Sequence, residues 1–465
     1  MQQPSVYFVG RPGEVAHHAA PFRKALEVRI AEPVEVLSQA NPGDLAIFFS
    51  EHFDRFRDCC MNLRRRNVAT VYLIDGILEW RNAWENTSDE VACPFAMRPV
   101  LSHKAACIGN SQARVLKSWG NVGKTEVVGI PRLDQFGQIQ SNRTPDDPEF
   151  RVLVMSAKTP GFTQKQIQIT RNSLLELKHW CRKNSSLTRR LPGSETLETR
   201  QVEFIWRLTN NFANEIGVEN RLSDLTGEEL ANVLPTVDAV ISTPSTAMLE
   251  AMRMGIPTAI LDFHNCPHYV PAGWRIHSAE HIPDSLQQMF ETNQTKLMYQ
   301  NDQLTDALYV EGSASERMVE LVRRMLKVAA KQISDGQADR DDSLVFPPQM
   351  LTPSTTDTGI FDHQQAYENS PEFLIHDKTV LQVELAHARR EISHLHRELT
   401  QLRSELNEAH QIFELIEKHP IAGPVVRIRQ KMLDLMAAIR KRKNELDSAC
   451  PVSDTNHGDS QAESR

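Results

Sequence analysis

Short apolar runs, each bounded by turn residues, alternate with helical patterns along residues 5–330. This alternation limits the possible folds more than any other feature of the sequence. Such runs fit parallel strands buried on both faces, and strands that alternate with helices predict a doubly wound α/β sheet. The predicted strands are Val6–Val9, Leu45–Phe49, Ala69–Ile74, Ala105–Ile108, Glu126–Val128, Arg151–Met155, Val202–Trp206, Ala239–Ser242 and Thr258–Leu261.

A polar stretch at residues 138–150 interrupts the alternation and divides it into two units. Its Pro145-Asp146-Asp147-Pro148 segment is typical of a hinge. A chain of 465 residues is also too long for one ordinary core. The sequence therefore predicts two α/β domains, at residues 1–140 and 150–330.

The composition changes after residue 330. Residues 331–376 are rich in Asp, Ser, Thr, Pro and Gln, which predicts a flexible polar linker. Apolar residues then recur at alternating spacings of four and three, which is the heptad signature of a coiled coil over residues 377–418. A long helix packed on its own globular domains is the alternative.

The charges that flank these heptads favour a parallel homodimer, because glutamates at g positions would face basic residues at e positions of a partner. The pairs are Glu391 with His396, Glu398 with Arg403, and Glu405 with His410. Residues 425–445 then form a basic amphipathic pattern. Such a helix can touch the inner face of a membrane, form a solvated face or extend an oligomer. Residues 448–465 are expected to be disordered.

The bulk properties exclude several classes of protein. The formal charge of −8 lacks the basic excess of a nucleic-acid-binding domain. No apolar run approaches the roughly 18 residues of a spanning helix, and no basic region precedes the first apolar stretch as in a secretory signal. The seven cysteines are irregularly spaced, which disfavours zinc and disulfides. We therefore expect a cytoplasmic protein.

The most informative stretch for binding is Ala239–Phe263. A predicted strand ends at Ser242, and the loop through Ser245 and Thr246 opens a helix whose N-terminus favours phosphate. Glu250 lies one turn further on the same face, where its carboxylate could accept hydrogen bonds from the two hydroxyls of a ribose. Alternatively, Ser245 only caps the helix and Glu250 is a solvated charge.

This stretch resembles a known family. The pattern S-T-x-x-x-E-A-x-x-x-G-I-P-x-x-x-x-D, from Ser245 to Asp262, is similar to the donor-site segment of GT-B glycosyltransferases and of the related sugar-nucleotide 2-epimerases. V-V-G-I-P-R-L-D, from Val127 to Asp134, resembles the segment that ends the N-terminal domain in several GT-B groups, including glycerophosphotransferases.

The resemblance implies two facing Rossmann-like domains, with the nucleotide-sugar bound as a substrate and with neither a metal nor another cofactor. It implies that Ser245 and Thr246 hold the pyrophosphate and that Glu250 holds the ribose. It also places the strand-end loop with Lys158 and Thr159 near the donor phosphates.

Two cations could balance the charge of the donor. Lys158 could neutralise the pyrophosphate as it leaves, or it could be an ordinary surface lysine. Arg207, just after the strand Val202–Trp206, is a second candidate.

A transferase of the inverting type needs a base for the acceptor hydroxyl. Asp75 follows the strand Ala69–Ile74 and is the first candidate, with Glu51, His52 and His17 as alternates. The glycerophosphotransferase-like relatives have His-Gly where this chain has Asp75-Gly76, so the base differs from theirs. A turn-forming Asp-Gly is the other interpretation.

The sequence therefore predicts a glycosyltransferase that moves a sugar from a nucleotide-diphosphate donor to a glycan or lipid-linked acceptor, as in surface polysaccharide biosynthesis. A sugar-nucleotide 2-epimerase is one alternative. The other is a non-catalytic GT-B-like module that acts through its coiled coil.

Overall fold

The computed structural model describes residues 4–51, 53–85, 97–138, 142–144, 147–184, 186–190, 193, 195–209, 211–220, 227–336, 344–352, 392–393, 395–412 and 424–449. The chain divides into two units, Met1–Val380 and Leu381–Arg465. The first unit contains both sheets.

The first sheet has six parallel strands in the order β2-β1-β3-β4-β5-β6. The chain order reverses between β1 and β3, and ligands of open α/β sheets bind at such reversal points. The strands are β1 Val6–Val9, β2 Val28–Ala31, β3 Leu45–Phe48, β4 Ala69–Leu73, β5 Lys104–Cys107 and β6 Thr125–Val127.

The second sheet also has six strands, in the order β12-β11-β10-β7-β9-β8, and all are parallel except β8. Its reversal point lies between β7 and β10. The strands are β7 Glu149–Met155, β8 Ser186–Arg190, β9 Leu197–Arg207, β10 Ala239–Ser242, β11 Thr258–Leu261 and β12 Trp274–Ile276.

Helices cover both faces of each sheet, which explains why β1, β3, β10 and β11 are buried along their whole length. In β1, for example, Val6 and Phe8 enter one core while Tyr7 and Val9 enter the other. The helices of the first unit are α1 Pro12–Ala19, α2 Pro33–Gln39, α3 Asp54–Arg65, α4 Asn110–Ser118, α5 Gln164–Lys183, α6 Phe212–Ile216, α7 Gly227–Val233, α8 Ala247–Arg253, α9 His281–Phe290, α10 Gln294–Ala307 and α11 Ala314–Ser334. The predicted pair of doubly wound, Rossmann-like domains is confirmed.

A 3₁₀ segment, Pro131–Gln138, connects the two halves. Gly129, just before it, has φ +91°, and a Cβ there would lie 2.7 Å from the Tyr309 carbonyl oxygen. Asp134 accepts hydrogen bonds from Ser313 Oγ, Ala314 N and Ser315 N. The V-V-G-I-P-R-L-D motif therefore binds the connector to the start of α11.

Helix α11 packs on the first sheet, although the sequence analysis assigned its residues to the second domain. Met318, Leu321, Val322 and Met325 are buried in the core that contains Val6 and Phe8. The apolar stripe of α11 covers one face of the first sheet. The chain therefore returns to the first half after completing the second.

Residues 344–352, here called the strap, also pack on the first half, where the sequence analysis expected a flexible linker. Leu344, Met350 and Leu351 are buried. Glu126 accepts hydrogen bonds from the backbone amides of Met350 and Leu351 at 2.7 and 3.0 Å. The polar composition of the predicted linker therefore does not reveal these three buried apolar residues or the contact with the buried Glu126 carboxylate.

The second unit contains a helix at residues 395–412 and α13, Pro424–Ala449. The first of these is numbered α12. Leu395, Leu399 and Leu406 of α12 are 37–50% exposed. Residues 331–334 of the predicted linker continue α11, and residues 448–449 of the predicted disordered tail end α13. Residues 337–343 and 353–376 of the linker, both ends of the predicted coiled coil and residues 450–465 lie outside the described residues. The coiled coil and its homodimer stay predictions. Across the described part of the chain, no helix has the length and apolar character to cross a membrane.

Candidate active site

The candidate site lies where the reversal point of the second sheet meets loops from the first half. The loops after β7 and β10 touch each other, since the Ala157 amide donates to Thr243 Oγ1 at 2.6 Å. From the first half, the Ile77 amide donates to Thr246 Oγ1 at 3.1 Å. A Cβ on Gly76 would lie only 2.7 Å from that oxygen, so the close approach of the halves requires glycine there.

Glu250 of α8 is buried, with 2% exposure, and pairs with Arg132 of the connector. Arg132 Nη1 donates to Glu250 Oε1 at 2.6 Å, while Oε2 is buried and has no hydrogen-bond partner in the described structure. Burial raises the pKa of Glu250, against the opposing charges of Arg132 and Arg207. A buried carboxylate oxygen without a donor is costly, so this side chain is suited to a ligand that brings hydroxyl groups.

Asp75, at the carboxyl end of β4, contacts His18 of α1. The distance from His18 Nε2 to Asp75 Oδ2 is 3.1 Å, and 39% of the Asp75 side chain is exposed but only 10% of the His18 side chain. The His18 ring also stacks on Phe49 at 4.4 Å and lies 3.8 Å from the ring of His17. The histidine is therefore held from several sides while Asp75 stays accessible.

Burial lowers the pKa of His18 to about 4, against the opposing charge of Asp75. Burial also lowers the pKa of His17, and the charges of Arg132 and Lys158 lower it further. Both imidazoles are therefore neutral at neutral pH. The same interactions place Arg132 and Lys158, which come from different elements, within electrostatic range of one histidine.

The remaining predicted donor-side residues lie on the two loops and at the carboxyl end of β9, the neighbour of β7. Lys158 and Thr159 are exposed, Arg207 is buried, and Ser245 is half-buried with its Oγ 3.2 Å from Ser242 Oγ. Arg207 acts on the carboxylate of Glu250. The structure thus gathers Asp75, His17, Lys158, Thr246 and Glu250 where the two halves meet.

Glu51 is placed differently. It is buried and accepts hydrogen bonds from the Leu101 amide at 2.7 Å and from the Ser102 amide at 2.9 Å, as well as from Ser102 Oγ. Burial raises its pKa, although these hydrogen bonds oppose the shift. These contacts fix the loop before β5, so Glu51 plays no part in the function proposed below. His52 lies outside the described residues.

Sequence reasoning missed two residues of this site. His18 follows the named alternate His17 but was given no role, and Arg132 was quoted only as part of a motif. A histidine pair on the helix after β1 was the available signal for His18. For Arg132 the signal was a cation in the segment that joins the domains.

A second set of contacts joins the halves beside the site. Arg81, 1% exposed, pairs with Glu79 and donates to the Pro160 carbonyl oxygen of the second half at 3.3 Å. Asp262, after β11, pairs with His268 at 2.7 Å. The charge of Arg81 acts on Asp262 and on His264, so these polar groups belong to one buried contact between the halves.

Comparisons with known proteins gave matches only among solved structures. The UDP-GlcNAc 2-epimerase of Neisseria meningitidis, solved with UDP-GlcNAc, is 16% identical, with a TM-score of 0.43 over 68% of this chain and 99% of that one. MnaA of S. aureus, solved with UDP, is 13% identical, with a TM-score of 0.47 over 70% and 97%. The wall teichoic acid polymerase TagF is 11% identical, with a TM-score of 0.45 over 71% and 90%.

No protein-family model matches this chain, and no curated protein matches it in sequence.

Proposed function

We propose that this chain is a glycosyltransferase that moves a sugar from a nucleotide-diphosphate donor to a glycan or lipid-linked acceptor. One observation carries the proposal. The accessible carboxylate of Asp75, held by neutral His18, acts on the same histidine, His17, as the cations Arg132 and Lys158. Arg132 in turn holds the half-satisfied carboxylate of Glu250. The donor-site resemblance of the segment from Ser245 to Asp262 supports the same conclusion.

On the acceptor side, Asp75 is the base. His18 occupies Oδ2, which leaves Oδ1 to accept the proton of the acceptor hydroxyl. As that oxygen forms its bond to the anomeric carbon, the bond from this carbon to the diphosphate breaks, and the electron pair leaves with the diphosphate. His18 is a positioning residue, because it orients the carboxylate without facing the acceptor.

On the donor side, Glu250 accepts hydrogen bonds from the ribose hydroxyls. Its unpartnered Oε2 supports this role. Lys158 and the hydroxyls of Ser245 and Thr246 face the leaving diphosphate. The Lys158 ammonium stabilises the transition state there, because it acts on negative charge that develops during the reaction. The nucleotide-sugar is a substrate, and we propose no other cofactor.

The test is turnover of labelled UDP-, GDP-, CDP- and CMP-sugars, with and without a mixture of glycan and lipid-linked acceptors. We expect acceptor-dependent transfer from one donor, and we expect Asp75→Asn to reduce the rate at least about 100-fold while donor binding persists. Asp58→Asn, at an exposed position of α3, is the matched control.

Three results would contradict the proposal in distinguishable ways. An epimerised nucleotide-sugar formed without acceptor would identify a 2-epimerase. Binding without turnover would identify a non-catalytic module, and binding of no donor would remove the nucleotide site altogether.

We also propose that residues 377–418 join two copies as a parallel coiled coil. The helical state of residues 395–412 and the exposure of Leu395, Leu399 and Leu406 support this. A cytoplasmic location and a peripheral membrane contact through residues 425–445 stay predictions.

A further inference from the structure

The ion pair between Arg132 and Glu250 leaves both partners incompletely satisfied. Arg132 uses Nη1 for Glu250 Oε1 at 2.6 Å, and the second carboxylate oxygen is buried without a donor. The side chain of Glu250 is 3% exposed, whereas that of Arg132 is 24% exposed. A guanidinium carries five donors in a rigid fork, so its open side can hold a second anion or exchange the first.

The surroundings of Arg132 indicate which anion this is. Its charge acts on His17 and His18, and the charge of Lys158 also acts on His17. Lys158 follows β7, whereas Arg132 belongs to the connector. Two cations from separate elements thus act on the same histidine, and the charge of Asp75, the proposed base, acts on it as well. A diphosphate that leaves during the reaction would carry the negative charge that these two cations favour.

We infer that Arg132 changes partners when the nucleotide binds. Without nucleotide it holds Glu250. When the ribose hydroxyls take that carboxylate, the guanidinium turns to the diphosphate, whose geometry its fork matches. This inference rests on the proposed function and deepens it, because it assigns the residue that links recognition of the ribose to recognition of the diphosphate.

The exchange has a consequence that an ordinary binding residue lacks. A nucleoside whose two ribose hydroxyls take both oxygens of Glu250 displaces Arg132 from Oε1 and offers it no new partner, whereas a nucleoside diphosphate offers one. The site should therefore discriminate strongly against nucleosides. Loss of Arg132 should move the two affinities in different directions, since it removes a competitor for the ribose and a ligand for the diphosphate.

The experiment is titration calorimetry of the full chain with uridine and UDP, cytidine and CDP, and guanosine and GDP. For the base that binds, we expect Arg132→Gln to lower the affinity for the nucleoside diphosphate at least tenfold. The affinity for the nucleoside should stay unchanged or rise. Arg323→Gln, at an exposed position of α11, is the control. Equal weakening of both ligands, or an unchanged diphosphate affinity, overturns the exchange while the proposed function stands.

Inorganic pyrophosphate provides a second, independent arm. Glu250→Gln weakens the hold on Arg132, so pyrophosphate should bind several-fold tighter to this variant and weaker to Arg132→Gln. Unchanged or weaker pyrophosphate binding by Glu250→Gln contradicts the exchange. If the wild-type chain binds no nucleoside diphosphate at all, the proposed function fails and the inference fails with it.

Discussion

At the residue scale, the contact between His18 and Asp75 joins the last turn of α1 to the loop after β4. His18 is held by burial, by stacking on Phe49 and by the carboxylate itself. Each of these contacts fixes the direction in which Asp75 presents its free oxygen. The orientation of the proposed base thus depends on a neighbour that does not meet the substrate.

Replacement of His18 should therefore lower kcat more than it changes KM. We expect His18→Ala to reduce kcat by about 10- to 100-fold, less than loss of the base itself. His18→Gln, whose amide nitrogen can take the place of the imidazole Nε2 that contacts Asp75, should restore part of the rate. Steady-state kinetics check this, with His179→Gln on the exposed side of α5 as control. An unchanged kcat, or a rise in KM alone, would show that Asp75 needs no such support.

The lowered pKa of His18 also predicts a pH dependence of stability. The pKa is about 4 in the folded protein and 6.5 in the unfolded chain, so the unfolded state binds more protons between these values. The free energy of unfolding should fall as the pH is lowered through this window, with a contribution from His18 of up to about 1.4 kcal/mol per pH unit.

Urea denaturation at pH 6.5 and 4.5 checks this dependence in wild type and in His18→Gln. His264, whose pKa burial also lowers to about 4, should keep its share of the dependence in the variant. We therefore expect the free energy of unfolding to fall less between pH 6.5 and 4.5 in His18→Gln than in wild type. Equal falls in the two proteins would mean that His18 titrates normally in the folded state.

At the element scale, the strap is held by a buried ion pair. Lys104 Nζ donates to Glu126 Oε1 at 2.7 Å and to the carbonyl oxygens of Pro347 and Pro348. The side chains of Lys104 and Glu126 are 1% and 2% exposed. Glu126 also accepts hydrogen bonds from the backbone amides of Met350 and Leu351 in the strap. Removing one charge would leave the other buried and unpaired.

We therefore expect Glu126→Gln to lower the free energy of unfolding by about 3–5 kcal/mol. The amides of residues 350 and 351 should also lose protection from hydrogen exchange. Glu320→Gln, whose pair with Arg324 is about half exposed, should cost under about 1 kcal/mol. A similar small cost for both variants would show that apolar packing alone retains the strap.

The sequence predicted the central strands well because their apolar runs reflect burial on both faces. It missed β2, β8 and β12. β8 exposes alternate residues and β2 is mostly half-buried, as is common for edge strands, and β12 has only three residues.

The same reasoning explains which site residues could be found. Asp75 follows a strand and Glu250 lies in the first turn of the helix after one, so their position at the sheet edge can be predicted from the sequence. Glu51 also follows a strand, but its side chain turns to the neighbouring loop, and nothing in the local pattern decides between these directions. The partners His18 and Arg132 depend on how distant segments approach, which local patterns do not encode.

At the scale of the whole molecule, the site and the proposed dimerisation helix belong to different units. A chain that ends at residue 352 keeps the strap and both sheets. We expect it to sediment as a monomer and to bind the nucleotide as the full chain does, whereas the full chain sediments as a dimer.

A point substitution tests the same prediction without truncation. Leu399→Asp should dissociate the full chain, because it places a charge on the apolar seam, and the neighbouring Thr400→Asp should not. A truncated chain that stays dimeric would place the interface on the sheets. A monomeric full chain would contradict the prediction that residues 377–418 form a dimeric coiled coil.

The central claim is that the space between the two halves holds a nucleoside diphosphate, with its ribose on Glu250. The most direct measurement is a crystal structure of the full chain grown with a mixture of UDP-, GDP- and CDP-sugars. The account predicts one nucleotide with both ribose hydroxyls on the Glu250 carboxylate and its phosphates between Lys158 and Thr246. A nucleotide bound elsewhere, or Glu250 still paired with Arg132 and free of ligand at saturating nucleotide, would contradict it.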